Sequence, residues 1–408
     1  METDQLNQKQ RDIVIVGGGP AGMMAGLLFA RAGLSVSVLE KHSDFLRDFR
    51  GDTVHPSTLE LFHQLGLLDN LLKLPHDRID EARIHIAGQQ MKVMNLAHLP
   101  VAAPFIAMMP QWDLLNFIAE HAGKYPGFDL CMETEAVDLI YDEDDRVRGV
   151  VTAAGDQLTA RLTIAADGRR SILRGKAALP LQTIGAPMDV FWFRVDKPAG
   201  FGGSVFGTVQ AGKFMVMIDR NDYYQCAYVF NKGQADRVRT DGLDKFRDGL
   251  RSLVPDLAGA FDQITNWDQL KMLEVALDRL ERWHRPGLLA IGDAAHAMSP
   301  IAGVGINVAV QDAVTTANVL AAAMANGENP DRLLHQVYER RIKPVRRMQA
   351  FQKFAQDYVI APLLDRTKPI EKPFLPLRIL NSMPLLRRIP ARVVGLGFGR
   401  EDIQSPEN

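Results

Sequence analysis

Apolar residues along this chain come in runs of distinct period. Asp12–Val16 (DIVIV) is a short continuous run, the pattern of a strand buried on both faces, and Leu34–Leu39 (LSVSVL) is a second. Between them Pro20–Ala32 has helical length, with a first-turn proline at one end and Gly33 at the C-cap position. After this β-α-β opening the pattern predicts a helix at about Pro56–Leu65, a mixed stretch to Pro110 and a helix at Asp113–Ala122. Strands are predicted near Leu130–Val137, Arg148–Ala153 and Arg161–Ala165.

Between about Pro187 and Phe230 the period shortens. DVFWFRV, KFMVMID and YYQCAYVF are aromatic, β-rich and separated by Gly/Asp turns, as in an antiparallel sheet. Leu289–Gly292 returns to a strand, and beyond about Asn326 the chain reads as helices punctuated by proline. No internal repeat or low-complexity tract interrupts this order. The predicted fold is α/β, with two interleaved domains. Residues 1–80, 105–185 and 275–355 form a parallel nucleotide-binding domain, 81–104 and 186–274 an inserted sheet, and 356–408 a helical C-terminus.

At 408 residues the chain can bury two cores, and 47% hydrophobic with 24% charged residues is ordinary for a globular protein. Forty-seven Lys and Arg against 49 Asp and Glu leave a net charge of −2, so no global basic field invites nucleic acid. Cys131 and Cys226 lie far apart without CxxC spacing, which argues against a disulfide framework, a redox dithiol or a zinc site. No metal ligand set is expected. The polar start METDQLNQKQRD has no secretory apolar core, and the apolar stretch around 288–325 is broken by Asp293, His296, Gln311 and Asp312. The expectation is a cytoplasmic enzyme.

Three dispersed motifs carry the chemistry. IVGGGPAG supplies Gly17, Gly19 and Gly22 between a strand and a helix, and Glu40 ends the second strand. Glycines there allow a tight turn and close approach to a pyrophosphate, which the helix N-terminus attracts, while the acid accepts ribose hydroxyls. AADGRRSILR places Asp167 and Gly168 after a strand, and GDAAHAMSPIAGVGIN places Asp293, Pro300, Gly303, Gly305 and Asn307 after another. NAD alone has no use for a further phosphate-facing loop so far downstream. FAD, with its ribityl chain and isoalloxazine ring, does.

Together GGGPAG, Glu40, Arg50-Gly51, Asp167-Gly168 and GDAAHAMSP..G.G.N resemble the class A flavoprotein aromatic hydroxylases, the p-hydroxybenzoate hydroxylase type, over roughly residues 10–350. The resemblance implies that Gly17, Gly19, Ala21, Gly22 and Glu40 hold the ADP part of FAD, that Arg50 and Gln111 lie along it, and that Asp293 holds the ribityl chain. Gly303, Gly305, Ile306 and Asn307 would meet the flavin ring, with the Pro300 carbonyl facing the site; Asp167, Lys41 and Val137 complete the expected cofactor set. It further implies NAD(P)H as reductant, O₂ as co-substrate and a flavin C4a-hydroperoxide that oxygenates an aromatic or polyketide-like molecule. GFGGSVFG (200–207) lacks the last glycine of a second dinucleotide motif, as befits a reductant that visits the FAD domain.

The substrate wall should come from the inserted sheet, with Trp192, Phe193, Tyr223, Tyr224 and Tyr228 as aromatic candidates. Tyr224 and His55 are candidate catalytic groups, a capping or surface histidine being the plainer reading of His55. No tryptophan sits in the WxWxIP stretch a flavin halogenase requires. A prenyl-reducing flavoenzyme of the geranylgeranyl reductase kind remains an alternative, because the tail PFLPLRILNSMPLLRRIPARVVGLGFGR mixes apolar residues with arginine. That tail reads first as a helical cap with a solvated basic face and second as a membrane-facing surface. A monomer or homodimer is expected.

Overall fold

In the computed structural model, which describes residues 10–46, 52–198, 206–220 and 222–408, the DIVIV run lies within the strand Arg11–Val16. Parallel neighbours flank it on both sides, Gln157–Ala165 and Val36–Leu39, and Leu288–Ala290 and Phe128–Cys131 extend the sheet outward. Ile13, Val14, Ile15, Val36 and Val38 are fully buried, as a parallel strand covered on both faces demands. Helix Pro20–Arg31 packs against both Gln111–Ala122 and Gly305–Ala325. The last of these is apolar enough in composition to cross a membrane, yet 72% of its apolar window is buried inside the fold.

The predicted strand Leu130–Val137 is two strands. Phe128–Cys131 belongs to the parallel sheet, while Ala136–Tyr141 pairs antiparallel with Val147–Thr152. An apolar run says nothing of which neighbour each half will meet, so the turn inside it is invisible to periodicity.

The second sheet has the order Lys271–Leu273, Met188–Asp196, Tyr223–Asn231, Lys213–Asp219, Phe206–Gln210, Glu81–Ile86, Gln89–Asn95. Its pairs are antiparallel except where 206–210 runs alongside 81–86. Alternation gives it two unlike faces. Phe191, Phe193, Met215, Tyr224, Cys226 and Phe230 form an outer core with Phe246 and Leu250 of the helix Leu243–Leu253. Trp192, Val216, Ile218, Ala227 and Val229 point the other way, into clusters that include Ile301 and Ala302 of the first domain.

Beyond the helix Leu334–Ala355 come a π-turn at Gln356–Ile360 and the short helices Ala361–Leu364, Leu375–Ser382 and Arg388–Leu396. The expected helical C-terminus stops there. Residues 397–408 form no helix but run back across the first domain, where Asn408 N–H reaches the Arg31 carbonyl at 3.0 Å.

Candidate active site

Three strands of the parallel sheet end side by side: Val16 lies opposite Ala165, and Ala165 opposite Ala290. The loops bearing Gly17–Gly19, Asp167–Gly168 and Gly292–Asp293 therefore leave the sheet at one edge, where α/β folds take up ligands. Packing among them is tight. A Cβ on Gly17 would stand 2.3 Å from the Ala166 carbonyl oxygen, one on Gly22 would stand 1.9 Å from that of Gly17, and one on Gly292 would meet Ala21 Cβ at 3.0 Å. Gly19 and Gly305 differ, because among the described residues nothing beyond the adjoining backbone lies within 4 Å of a Cβ placed there. Both open the N-terminal turn of a helix that has no side-chain cap and no acidic residue in its first turn. Such ends present unsatisfied N–H groups and positive dipole ends.

The carboxylates divide by role. Glu40 is buried, with Oε2 accepting the Gly18 N–H at 3.0 Å and Oε1 the His42 N–H at 3.2 Å, so it is held against the first loop. Asp293 is partly exposed and takes no helix-capping bond; its Oδ2 pairs with Arg169 Nε at 3.0 Å. Asp167 instead serves its own loop, accepting the Ile172 and Leu173 N–H groups at 2.8 and 3.2 Å, and burial raises its carboxyl above the usual range.

The third loop is secured from below. Buried Asp312 accepts the Gly292 N–H at 3.0 Å, faces His296 Nε2 at 2.5 Å and pairs with Arg341 Nε at 2.8 Å. Burial raises that carboxyl, but His296 and Arg341 outweigh it and hold the group below its usual value. Three buried glutamines, Gln349 and Gln352 of the helix Leu334–Ala355 and Gln356 of the π-turn after it, hold residues 297–301. Gln349 donates to the Ala297 carbonyl at 3.2 Å, Gln352 to the carbonyls of Ser299 and Ile301 at 2.9 and 3.0 Å, and Gln356 to Ser299 Oγ at 2.8 Å. Ala302 then adopts a left-handed φ of 63°, a strained conformation for a residue with a side chain.

Residues 10–352, more than half the chain, match the family described as FAD binding domain. The chain belongs to the FAD-dependent aromatic hydroxylases. It is 31% identical over 337 residues to 6-methylpretetramide 4-monooxygenase of Streptomyces rimosus, covering 81% of this chain and 80% of that one. It is 26% identical to para-nitrophenol 4-monooxygenase of Pseudomonas sp. strain WBC-3, over 81% and 82% of the two chains. The crystal structure of p-nitrophenol 4-monooxygenase from Pseudomonas putida DLL-E4 shares the fold, with a TM-score of 0.72 at 22% identity, over 95% of this chain and 99% of that one.

The residues present suit FAD. Open space at Gly19 and at Gly305 lies in front of two uncapped helix ends, one suited to a pyrophosphate and the other to the flavin edge that turns anionic on reduction. Asp293, in the third loop, pairs with Arg169 of the second and stays partly exposed. Ala21 lines the first loop, Gln111 begins its helix beside Asp52, Lys41 is exposed past Glu40, and Val137 is the second residue of the strand Ala136–Tyr141. Arg50, with most of GFGGSVFG, lies outside the described residues.

Other expectations need correction. Tyr224 is fully buried in the outer core of the sheet, so it faces away from the loop that bears Pro300; burial pushes its hydroxyl up to about 12. Phe193 packs in the same outer core, and Tyr228 against it. Only the opposite parity reaches the site, which keeps Trp192. His55 is no surface histidine and makes no side-chain cap: it is fully buried, with Nδ1 at 2.8 Å from the Val394 carbonyl, and desolvation lowers it to about 4. Asn307 spends its amide as a staple, Oδ1 accepting the His55 N–H and the Thr58 hydroxyl, Nδ2 donating to the Thr53 carbonyl at 3.3 Å. The Pro300 carbonyl accepts the Gly303 N–H at 3.0 Å, a turn bond that aims the loop.

Sequence reasoning overlooked Arg169, the Asp312–Arg341 pair, the glutamines and a buried ion pair, Arg220 with Asp52 at 2.5 Å. Burial raises the Asp52 carboxyl despite that guanidinium. The glutamines left one local signal, polar residues spaced to share the face that carries Val345 and Met348 into the core.

Proposed function

We propose that this hydroxylase takes a hydride from NAD(P)H and inserts one atom of O₂ into an electron-rich aromatic or polyketide-like substrate. The balance is NAD(P)H, H⁺, O₂ and Ar–H giving NAD(P)⁺, H₂O and Ar–OH. The observation that carries this reading is the convergence of three glycine-and-acid loops on one sheet edge. Bound FAD supplies the redox chemistry and the activation of O₂.

The chain's own groups bind, orient and exclude water. Glu40 and the Pro20–Arg31 helix end hold the adenosine and pyrophosphate, Asp293 the ribityl chain, and the Gly305 helix end the ring edge. The apolar inner face of the second sheet, with Trp192, Val216 and Ile218, closes the site against water, which protects an oxygenating centre from wasteful breakdown. Residues 81–104 and 186–274 thus serve as the substrate domain. Neither Tyr224 nor His55 carries a proton to substrate in this reading: one faces the wrong core and the other is a neutral, buried strut. The cytoplasm is the proposed compartment.

The naming of relatives as monooxygenases gives the alkene-reductase alternative no support. The test is a panel of phenols, quinolones and polyketide aromatics, scored for stimulated NAD(P)H oxidation and a product mass gain of one oxygen. Turnover that proceeds without O₂ would reject the proposal.

A further inference from the structure

The C-terminal helices carry apolar side chains on the side that faces away from the protein. Helix Leu375–Ser382 packs Leu377 inward beside the sheet, while Leu375, Ile379 and Met383, at spacings of four, line its outer side. Leu385 and Ile389 continue this face, and Leu375, Leu385 and Ile389 are each more than 60% exposed at 65%, 68% and 63%. Of the thirteen large apolar side chains exposed among the described residues, eight fall between Phe354 and Ile389. A cap whose only task is to cover the core would turn polar residues outward here.

The segment is also basic. Residues 354–392 hold seven Lys and Arg against three Asp and Glu, in a chain whose net charge is −2. Arg378, Arg388 and Arg392 are exposed beside the apolar residues, and among the described residues none of the three enters an ion pair. The platform beneath is firm. Asn381 Oδ1 accepts the Lys92 N–H of the edge strand at 2.9 Å, and Arg387 donates to the Leu380 and Asn381 carbonyls at 3.1 and 3.2 Å. The Arg388–Leu396 helix buries Ala391 and Val394 and leaves Arg388, Ile389 and Arg392 outside.

We infer that this face, Leu375 to Arg392, is a docking surface for an anionic lipid bilayer. Apolar side chains with interleaved arginines match a surface that is greasy below and negative above. A second copy of the chain fits less well, because a two-fold contact would set each arginine-rich rim against its twin.

The test is sedimentation of the FAD-loaded full chain with vesicles of phosphatidylcholine, alone or mixed with phosphatidylglycerol. Binding to the mixed vesicles is expected at low salt, with little to pure phosphatidylcholine and a marked fall as salt rises. R378E/R388E/R392E should lower partitioning by at least about tenfold, each cation contributing several-fold. L375S/L385S/I389S should lower it comparably, and both variants should keep their flavin spectrum and melting temperature. Absence of binding to mixed vesicles would overturn the inference, as would binding that neither triple variant weakens. A concentration-dependent dimer that L375S/L385S/I389S dissolves, without vesicle binding, would reassign the face to self-association.

Discussion

Gln352 grips Ser299 by both of its backbone groups: Oε1 accepts the Ser299 N–H at 3.1 Å, and Nε2 donates to the Ser299 carbonyl at 2.9 Å. The residue so held immediately precedes Pro300, in the loop that turns toward the cofactor edge. In Gln352→Leu three buried backbone groups, on Ser299 and Ile301, lose their partner. Each such loss costs about 1–3 kcal/mol when water cannot replace it. A fall in stability of about 3 kcal/mol is expected, together with poorer coupling of NAD(P)H oxidation to hydroxylation. Denaturant melts and peroxide release per NAD(P)H check it. An unchanged coupling ratio would confine Gln352 to stability.

Gly19 and Gly22 sit three residues apart and should respond oppositely to alanine. At Gly22 the new methyl collides with the Gly17 carbonyl oxygen, so the apo-protein should lose at least about 2 kcal/mol, as overpacking against backbone does. At Gly19 the backbone (φ −74°) accepts alanine, and among the described residues no atom beyond the adjoining backbone is near. Gly19→Ala should therefore melt like the parent without FAD, yet bind FAD at least about tenfold more weakly, a loss of about 1.4 kcal/mol. Unchanged FAD affinity would mean that no phosphate approaches there.

Asp293→Ala and Asp167→Ala separate ligand from scaffold. Asp293 accepts no backbone cap, so its loss should cost FAD affinity about 1.5–3 kcal/mol per charge-assisted hydrogen bond. Asp167 caps Ile172 and Leu173, so its removal should cost about 1 kcal/mol of folding stability instead. Titration with FAD and thermal melts, run on both variants, distinguish the two. The reverse pattern would exchange their roles.

His55 gives the fold a pH dependence. Its folded value is lowered to about 4 from 6.5, so between those pH values the unfolded chain binds a proton that the folded chain does not. Stability is therefore unaffected by this group above pH 6.5 and falls as pH drops toward 4, by about 3 kcal/mol in total. His55→Asn keeps a donor near the Val394 carbonyl and removes the titration. Its melting temperature should fall less steeply across that window than the parent's, and parallel curves would refute the assignment.

Much of the first domain was legible locally. A continuous apolar run, a helix-length segment and glycines at the junction require no distant partner to be recognised, and the motif order named FAD before any contact was known. The second sheet was legible as strands but not as faces. Alternation sets Phe193 and Tyr224 on one face and Trp192 on the other, and only the packing of the Leu243–Leu253 helix decides which set is turned from the first domain. His55 is illegible for a related reason, since the groups that hold it, the Val394 carbonyl and the Asn307 amide, lie far along the chain.

The sequence by itself therefore determined the nucleotide-binding framework, its cofactor and the alternation of the inserted sheet, because those rest on short-range geometry and on residues whose backbone or charge has one use. Tertiary structure decided which face of the inserted sheet turns toward the first domain, which acid caps a helix and which one does not, and where the apolar face of the tail ends up. Those outcomes depend on contacts between segments distant in sequence, and periodicity carries no record of them.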